Sequence, residues 1–479
     1  MKFSLTLPYW RFILFISLIV AAPLSKYPSI AVPLFNFPSF RVGLYQILAV
    51  LFVISCIKPL YTVGVAFFAR QHRYAFIALV ILAVLSLASI AWSLYPARSA
   101  LLGFSVALLV VIALSAWWYA ATELTAAHWQ IVLQSMLYAA ILFGVVSLLQ
   151  LTFFSLTDQT LGVLCPGCVA DIFGFPRING LAAEPQFFAN AMIPFVFAAF
   201  YAVLKLRSKL AWVAFIASTV TIGLTFSRGA YFALAIALFV TAATLMHKKI
   251  LNIKTFALVT LVWLAAIVAS LSLLTVSATI RYSSTPNITY ETIDSIFEHV
   301  TLGVINLPEK TVVVVQTPPT VPQDTTTETT NDFVSPGLIE SSGNERLGAA
   351  ELALNAWLYN PLTAIFGVGI GNLGPFVVQN IDATAPENLT VYIYYVLVLS
   401  ELGVVGLGMV CLLFGAALTR LFRQNTLAAM CIAGGLVAFA IQFLFFGSYI
   451  NVIYIWLWLG IALGITTVTK KKQTRVKKV

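Results

Sequence analysis

LAWVAFIASTVTIGLTFSRGAYFALAIALFVTAATLM, residues 210–246, carries one charge, Arg228, in 37 residues. Two 17-residue apolar runs, 210–226 and 230–246, meet at Ser227-Arg228-Gly229. Each is just long enough to cross a hydrocarbon core of about 30 Å. The stretch therefore predicts a tight helical hairpin in a membrane, with the arginine at its tip, at or just inside the surface. An arginine there is costly unless it meets an anion or lines a wet cavity. The plainer alternative is a side chain that snorkels to lipid headgroups.

The rest of the chain belongs to the same class. It is 61% hydrophobic and 9% charged, where a soluble domain has about 25% charged residues. Apolar windows fall at 10–24, 42–57, 74–92, 100–121, 130–153, 188–204, 210–226, 230–246, 255–276, 391–417, 426–446 and 450–468. The expected fold is an all-α polytopic membrane protein with about twelve transmembrane helices. The first window lacks a small-residue cleavage site followed by a soluble domain, so it reads as a retained span. Three regions follow. Residues 1–276 hold spans one to nine, with a segment at 154–187 between spans five and six. Residues 277–390 form a long loop, and 391–479 hold spans ten to twelve and a basic tail.

Lysine and arginine placement sets the orientation. With a cytoplasmic N-terminus, 19 of the 27 basic residues fall on inner segments, including Lys470-Lys471-Lys472 in the tail, and the only inner acid is Glu123. The outer segments hold 15 of the 17 acids, and Glu401 lies within a span. The net charge of +10 thus describes a basic cytoplasmic face against anionic lipid and not a nucleic-acid binder. The chain is expected in the plasma (inner) membrane with both termini cytoplasmic. Arg228 then points outward, where positive charge is disfavoured. In the outer loop, 311–332 is rich in Thr and Pro and reads as a disordered insert. Leu347, Leu354, Trp357 and Leu358 stand at helical spacing and predict an amphipathic surface helix over 344–359, stopped at Asn360-Pro361.

Four constellations carry chemistry. Arg177 and Gly180 lead to Glu184-Pro185, with Pro185 placed for the first turn of a helix. Glu184 reads either as a carboxylate on the helix dipole or as a base for an incoming hydroxyl; Arg177 reads as its partner across the turn or as an anion holder. At the hairpin tip, Ser227 and Gly229 permit close approach to Arg228, whose planar fork suits a diphosphate. Asn344-Glu345-Arg346 leads to Gly367-Val-Gly369-Ile-Gly371, which follows no soluble strand and reads as a flexible turn instead of a nucleotide loop. Glu401, with Gly403, Gly406 and Gly408, marks a span with an intramembrane carboxylate and a small-residue packing seam. Cys56, Cys411 and Cys431 read as packing residues within spans. Cys165 and Cys168 read as a local disulfide, and neither they nor the four scattered histidines make a metal site.

Taken together these residues resemble the O-antigen ligase and polymerase superfamily of bacterial envelope glycosyltransferases. The resemblance rests on Trp92-Ser93 with Pro96, Arg177 with Gly180 and Glu184-Pro185, and Ser227-Arg228-Gly229. It continues through Arg346, Asn360-Pro361 with Gly367-Val-Gly369, and Glu401-Leu-Gly403 with Gly406, in the family's order. It implies a GT-C-type membrane enzyme whose donor is a polyprenyl-diphosphate-linked glycan and whose acceptor is a glycan or lipid-glycan, with no metal and no cofactor. On that basis Arg228, Arg177 and Glu184 are the expected catalytic residues, and Arg346, Ser227, Gly229 and Glu401 are expected to bind substrate. The family's ligases carry His-Asn shortly before Glu-x-Gly; the ungapped position here holds Tyr392-Ile393, which favours a polymerase or another acceptor. The rival from a different class is a transporter of lipid-linked glycans, which would place charges at the bilayer midplane on repeated broken helices; a non-catalytic envelope scaffold is the third.

Overall fold

The computed structural model describes residues 7–25, 28–31, 41–157, 175–282, 337–448 and 452–476, the residues at 7, 31, 41, 282, 337–345 and 466–476 by backbone alone. The Cys165–Cys168 pair and the 311–332 insert lie outside the described residues.

The chain is dominated by apolar helices. In order they are α1 (Leu7–Val20), α2 (Leu44–Ala88), α3 (Pro96–Thr122), α4 (Ala126–Thr157), α5 (Pro185–Leu206), α6 (Lys209–Leu224), α7 (Arg228–His247) and α8 (Ile253–Tyr282). After the loop come α9 (Gly337–Trp357), α10 (Pro361–Phe366), α11 (Leu373–Asn380), α12 (Tyr394–Arg423), α13 (Leu427–Gln442) and α14 (Ile453–Val476). Among the described residues, seven helices are long and apolar enough to cross a membrane, and four shorter apolar ones accompany them. The protein is therefore an all-helical membrane protein with one small addition. A two-stranded antiparallel ladder, β1 (Ser29–Ala31) on β2 (Arg41–Gly43), links α1 to α2.

α2 joins two expected spans. At about 1.5 Å per residue its 45 residues would reach roughly 65 Å, more than twice a bilayer core. It does not run straight: Gly64 (φ 63°) and His72 (φ −151°, ψ 71°) leave the helical region and break it. Three-residue turns at 123–125, 225–227 and 424–426 keep sequence neighbours together. α3 packs most extensively on α14 and α2, α5 lies on α6, and α7 lies on α13. α5 is the central element; nearly every residue from Phe187 to Phe200 is buried.

Three expectations are corrected here. α9 is present, but it buries Ala349, Ala350, Ala353 and Ala356 while Leu347, Leu354 and Leu358 are exposed. Small side chains let its backbone approach α12, and in an apolar medium large aliphatics have no reason to turn inward. The glycines of α12 do not form a helix-packing seam. Gly403 (φ 66°) breaks the helix, and a Cβ there would strike the Ile365 carbonyl; Gly406 faces Leu402 of its own helix, and Gly408 faces open space. Cys56 and Cys431 are buried as expected, but Cys411 is exposed.

Candidate functional site

The 210–246 stretch folds as its pattern requires. α6 ends at Leu224, α7 starts at Arg228, and three residues make the turn. Phe226 enables the reversal by adopting φ 48°, a left-handed conformation rare for an aromatic and held only where packing over-determines it. Its ring is buried and stacks on Phe175 at 5.4 Å. Ser227 is the N-cap of α7, 4% exposed, and its carbonyl accepts from Ala230 N and Tyr231 N. Gly229 is required because a Cβ would strike the Phe445 ring. The hairpin arms then diverge, α6 toward α4, α5 and α8, and α7 toward α13.

The segment before α5 docks on this turn. Ile178 N donates to Leu224 O at 3.2 Å, and Arg177 Nε donates to Thr225 O at 3.1 Å. Gly180 (φ 55°) lies against the Phe188 ring, and its N–H and that of Asn179 both donate to Gln150 Oε1. The two basic residues are thereby fixed by backbone geometry, at positions 51 residues apart in sequence. Glu184 is the N-cap of α5 with extended backbone (φ −146°, ψ 159°), and Pro185 occupies the first turn. Its carboxylate makes no capping bond and is exposed. The reading of Glu184 as a carboxylate at the helix N-terminus is met in position.

The third arginine arrives from α9. Arg346 lies over the Tyr392 ring with its guanidinium carbon 4.7 Å from the centroid, a cation–π contact. Electrostatically the residues form one group. Arg177 feels Glu184, Tyr231 and Arg346; Arg228 feels Arg346 and Arg177; Arg346 feels Tyr392 and Glu184. Burial lowers the Arg177 pKa to about 10, with Glu184 working the other way, and burial lowers that of Arg346 as well. Arg177 remains a cation at neutral pH. Arg177 and Glu184 are not in ion-pair contact; among the described residues the ion pair within 4 Å is Arg11–Glu123, at 3.9 Å. Three cations thus share one region with a carboxylate near but not joined to them, an arrangement suited to an anion carrying more than one charge.

Glu401 belongs to an adjoining structure. It is 4% exposed and acts on Tyr394, and it is not among the groups acting on the three arginines. Its backbone receives the Gly-x-Gly-x-Gly turn: Val368 N donates to Ser400 O and Gly369 N to Glu401 O. Gly367 and Gly403 face each other's chain so closely that a Cβ on either would strike backbone. On the other side Trp92 Nε1 donates to Gly367 O, Ser99 Oγ to Ile370 O, and Tyr95 N to Asn372 Oδ1 at 2.6 Å. Residues 367–372 are buried. This is a pinned connector between α2, α3 and α12, not the flexible turn expected from sequence.

Sequence reasoning missed Phe226, Tyr231 and Tyr392. Tyr231 lies one turn after Arg228 and donates to Gly223 O, so its spacing was a usable signal. Tyr392 stood at the position counted back from Glu401, but nothing in the sequence linked it to Arg346. Comparison with known protein families and with characterised proteins finds no match to this chain.

Proposed function

We propose that the protein is an envelope glycosyltransferase that transfers or polymerises a glycan from a polyprenyl-diphosphate-linked donor. The observation that carries this reading is the convergence of Arg177, Arg228 and Arg346, from three separate segments, beside Glu184. The excess of basic residues at the opposite end of the helices supports an outward-facing site and cytoplasmic termini, in a proposed GT-C-like bundle of twelve spans.

In this mechanism the arginines hold the donor diphosphate and stabilise the charge that grows on it as the sugar departs. An acceptor hydroxyl attacks the anomeric carbon, forming the new C–O bond while the bond to the diphosphate oxygen breaks, with inversion. Glu184 takes the hydroxyl proton, and the products are the extended glycan and polyprenyl diphosphate. Ser227 and Gly229 keep the rim of the site narrow, and Glu401 maintains the wall formed by 367–372.

The test uses the purified full-length protein with a polyprenyl-diphosphate oligosaccharide in liposomes. Lengthened or transferred glycan supports the reading, whereas movement of donor across the bilayer without new bonds makes the protein a transporter. Glu184→Gln should lower turnover by about a hundredfold, in the range expected for a lost base, with little change in donor KM. A variant with normal turnover removes Glu184 from the base role.

A further inference from the structure

α4 carries one side-chain amide on its buried face. Phe143, Ser147 and Gln150 stand at i, i+4 and i+7, on one stripe of the helix, and all three are buried. The Phe143 ring meets Phe188 of α5 at 6.2 Å, and Ser147 returns its hydroxyl to Phe143 O. Gln150 reaches off the helix instead. Its Oε1 accepts from Asn179 N at 3.2 Å and Gly180 N at 2.9 Å. Its Nε2 donates to Asn179 Oδ1 at 3.0 Å and to Gly180 O at 3.2 Å. A single amide thus spends two donors and two lone pairs on two consecutive residues. A polar group at this depth in an apolar helix is costly unless it is matched.

The residues it grips are matched to it. Asn179 offers Oδ1 to Gln150 and turns its own Nδ2 to Ala182 O at 3.1 Å. Gly180 adopts φ 55°, and a Cβ there would strike the Phe188 ring. The two preceding residues bond a different helix: Ile178 N donates to Leu224 O and Arg177 Nε to Thr225 O, both at the end of α6. α4 and α6 meet directly where Gly144 lies against Ala217. Residues 177–180 therefore cross between two joined helices, and Gln150 is the side chain that fixes them on the α4 side.

We propose that Gln150 is a positioning residue for Arg177, holding the loop in the register that aims the guanidinium at the anion site. The inference rests on the reading of the three arginines given above and adds the group that orders one of them. With Nε committed to Thr225 O, Arg177 grips a diphosphate through its two terminal nitrogens, and a paired grip depends on fixed geometry. A misplacement of about 1 Å in such a clamp costs up to a hundredfold. A glutamine that merely packed α4 on the loop would affect stability and leave the preference of the site among anions unchanged.

The experiment measures binding of inorganic pyrophosphate and orthophosphate to the full-length protein in lipid nanodiscs by titration calorimetry, with thermal stability read on each variant. Gln150→Met keeps the length of the side chain and removes its polar atoms. It should weaken pyrophosphate by about tenfold, the weight of one hydrogen bond to a charged group. Orthophosphate should weaken less, so the preference for pyrophosphate narrows. In an Arg177→Gln background the same substitution should change pyrophosphate binding by no more than about twofold. Asn179→Ala removes one of the four bonds and leaves both backbone N–H groups on Gln150. It should narrow the preference to a smaller extent, and it decides the matter if Gln150→Met does not fold. Three results overturn the positioning role: unchanged pyrophosphate affinity in the folded variants, equal losses for the two anions, or an undiminished loss once Arg177 is gone. Absence of pyrophosphate binding by the wild-type protein, or binding that Arg177→Gln leaves intact, overturns the arginine reading itself.

Discussion

The two ends of the helical bundle treat positive charge in opposite ways. At the end where α3, α7 and α12 finish, buried or half-buried cations have acceptors within the chain. Lys248 donates to Phe422 O, Gln424 O and Asn425 Oδ1. Arg11 donates twice to Ser55 O, pairs with Glu123 and lies over Trp118 at 5.2 Å. Arg420 donates to Gln71 O at 2.7 Å and meets His72. Lys248 closes the end of α12, Arg420 meets a carbonyl beside the break at His72, and Arg11 meets the Ser55 carbonyl, which Pro59 leaves without an N–H inside α2. At the other end Arg177, Arg228 and Arg346 act on one another as like charges. Like charges gathered under partial burial destabilise a fold unless an anion joins them. One end uses charge to hold carbonyls of neighbouring helices, and the other gathers three guanidiniums in one region, with Arg177 also donating to Thr225 O.

The largest effect that tests this contrast is at Arg228. Arg228→Ala should lower product formation by about 10²–10³, the usual loss when one stabilising donor is removed from a charged transition state, with little loss of thermal stability. Arg228→Lys keeps the charge but loses the planar fork and should recover only part of the activity. Near-normal activity of the lysine variant at matched protein level would remove the diphosphate role.

Arg177 supplies a pH signature. Its pKa is lowered to about 10 by burial, so its charge is present at neutral pH and is lost as pH rises through about 10. Donor affinity should therefore decline as pH approaches 10, and Arg177→Gln should be weaker throughout and flatter in that range. The linkage to folding has the opposite sign. The unfolded chain keeps this proton to higher pH, so the cost of burying the charge fades as pH rises. A wild-type affinity flat from pH 8 to 10.5 would place Arg177 outside the binding group.

The opposite end makes the converse prediction. Lys248→Met leaves the carbonyls of Phe422 and Gln424 without their donor, which should cost about 1–3 kcal/mol of stability. Donor KM and turnover of the folded fraction should not change. A variant that is fully stable but impaired in donor binding would erase the distinction between the two ends.

The hairpin was legible in the sequence because a lone charge between two apolar runs leaves few foldings open in a membrane. The gathering of Arg177 and Arg228 was half legible, since both adjoin helix starts signalled by Pro185 and Ser227. The face of α9 was not legible. Its leucine spacing obeys the amphipathic pattern of a protein in water, and the alanines that make the contact carry no periodic signal that outweighs it. The 367–372 turn was misread because three glycines indicate freedom locally. Here they instead permit backbone contact with a helix break at Gly403, a long-range partner that local sequence does not name.

The finest test concerns how Arg346 is held at the arginine end. Tyr392 lies under its guanidinium at 4.7 Å and is 38% exposed, so the contact is partly solvated. Such a pair is worth about 0.5–1 kcal/mol, or roughly two- to fivefold in affinity. If the ring merely positions Arg346, Tyr392→Phe preserves the face and should behave as wild type, while Tyr392→Leu should raise donor KM by that factor and leave turnover unchanged. If instead the hydroxyl takes part in the chemistry, the phenylalanine variant loses turnover and the pH profile moves with it. The two substitutions separate a support for charge from a participant in proton transfer. The first outcome would extend the contrast between the ends, because here an aromatic face orients a cation for a ligand without neutralising it.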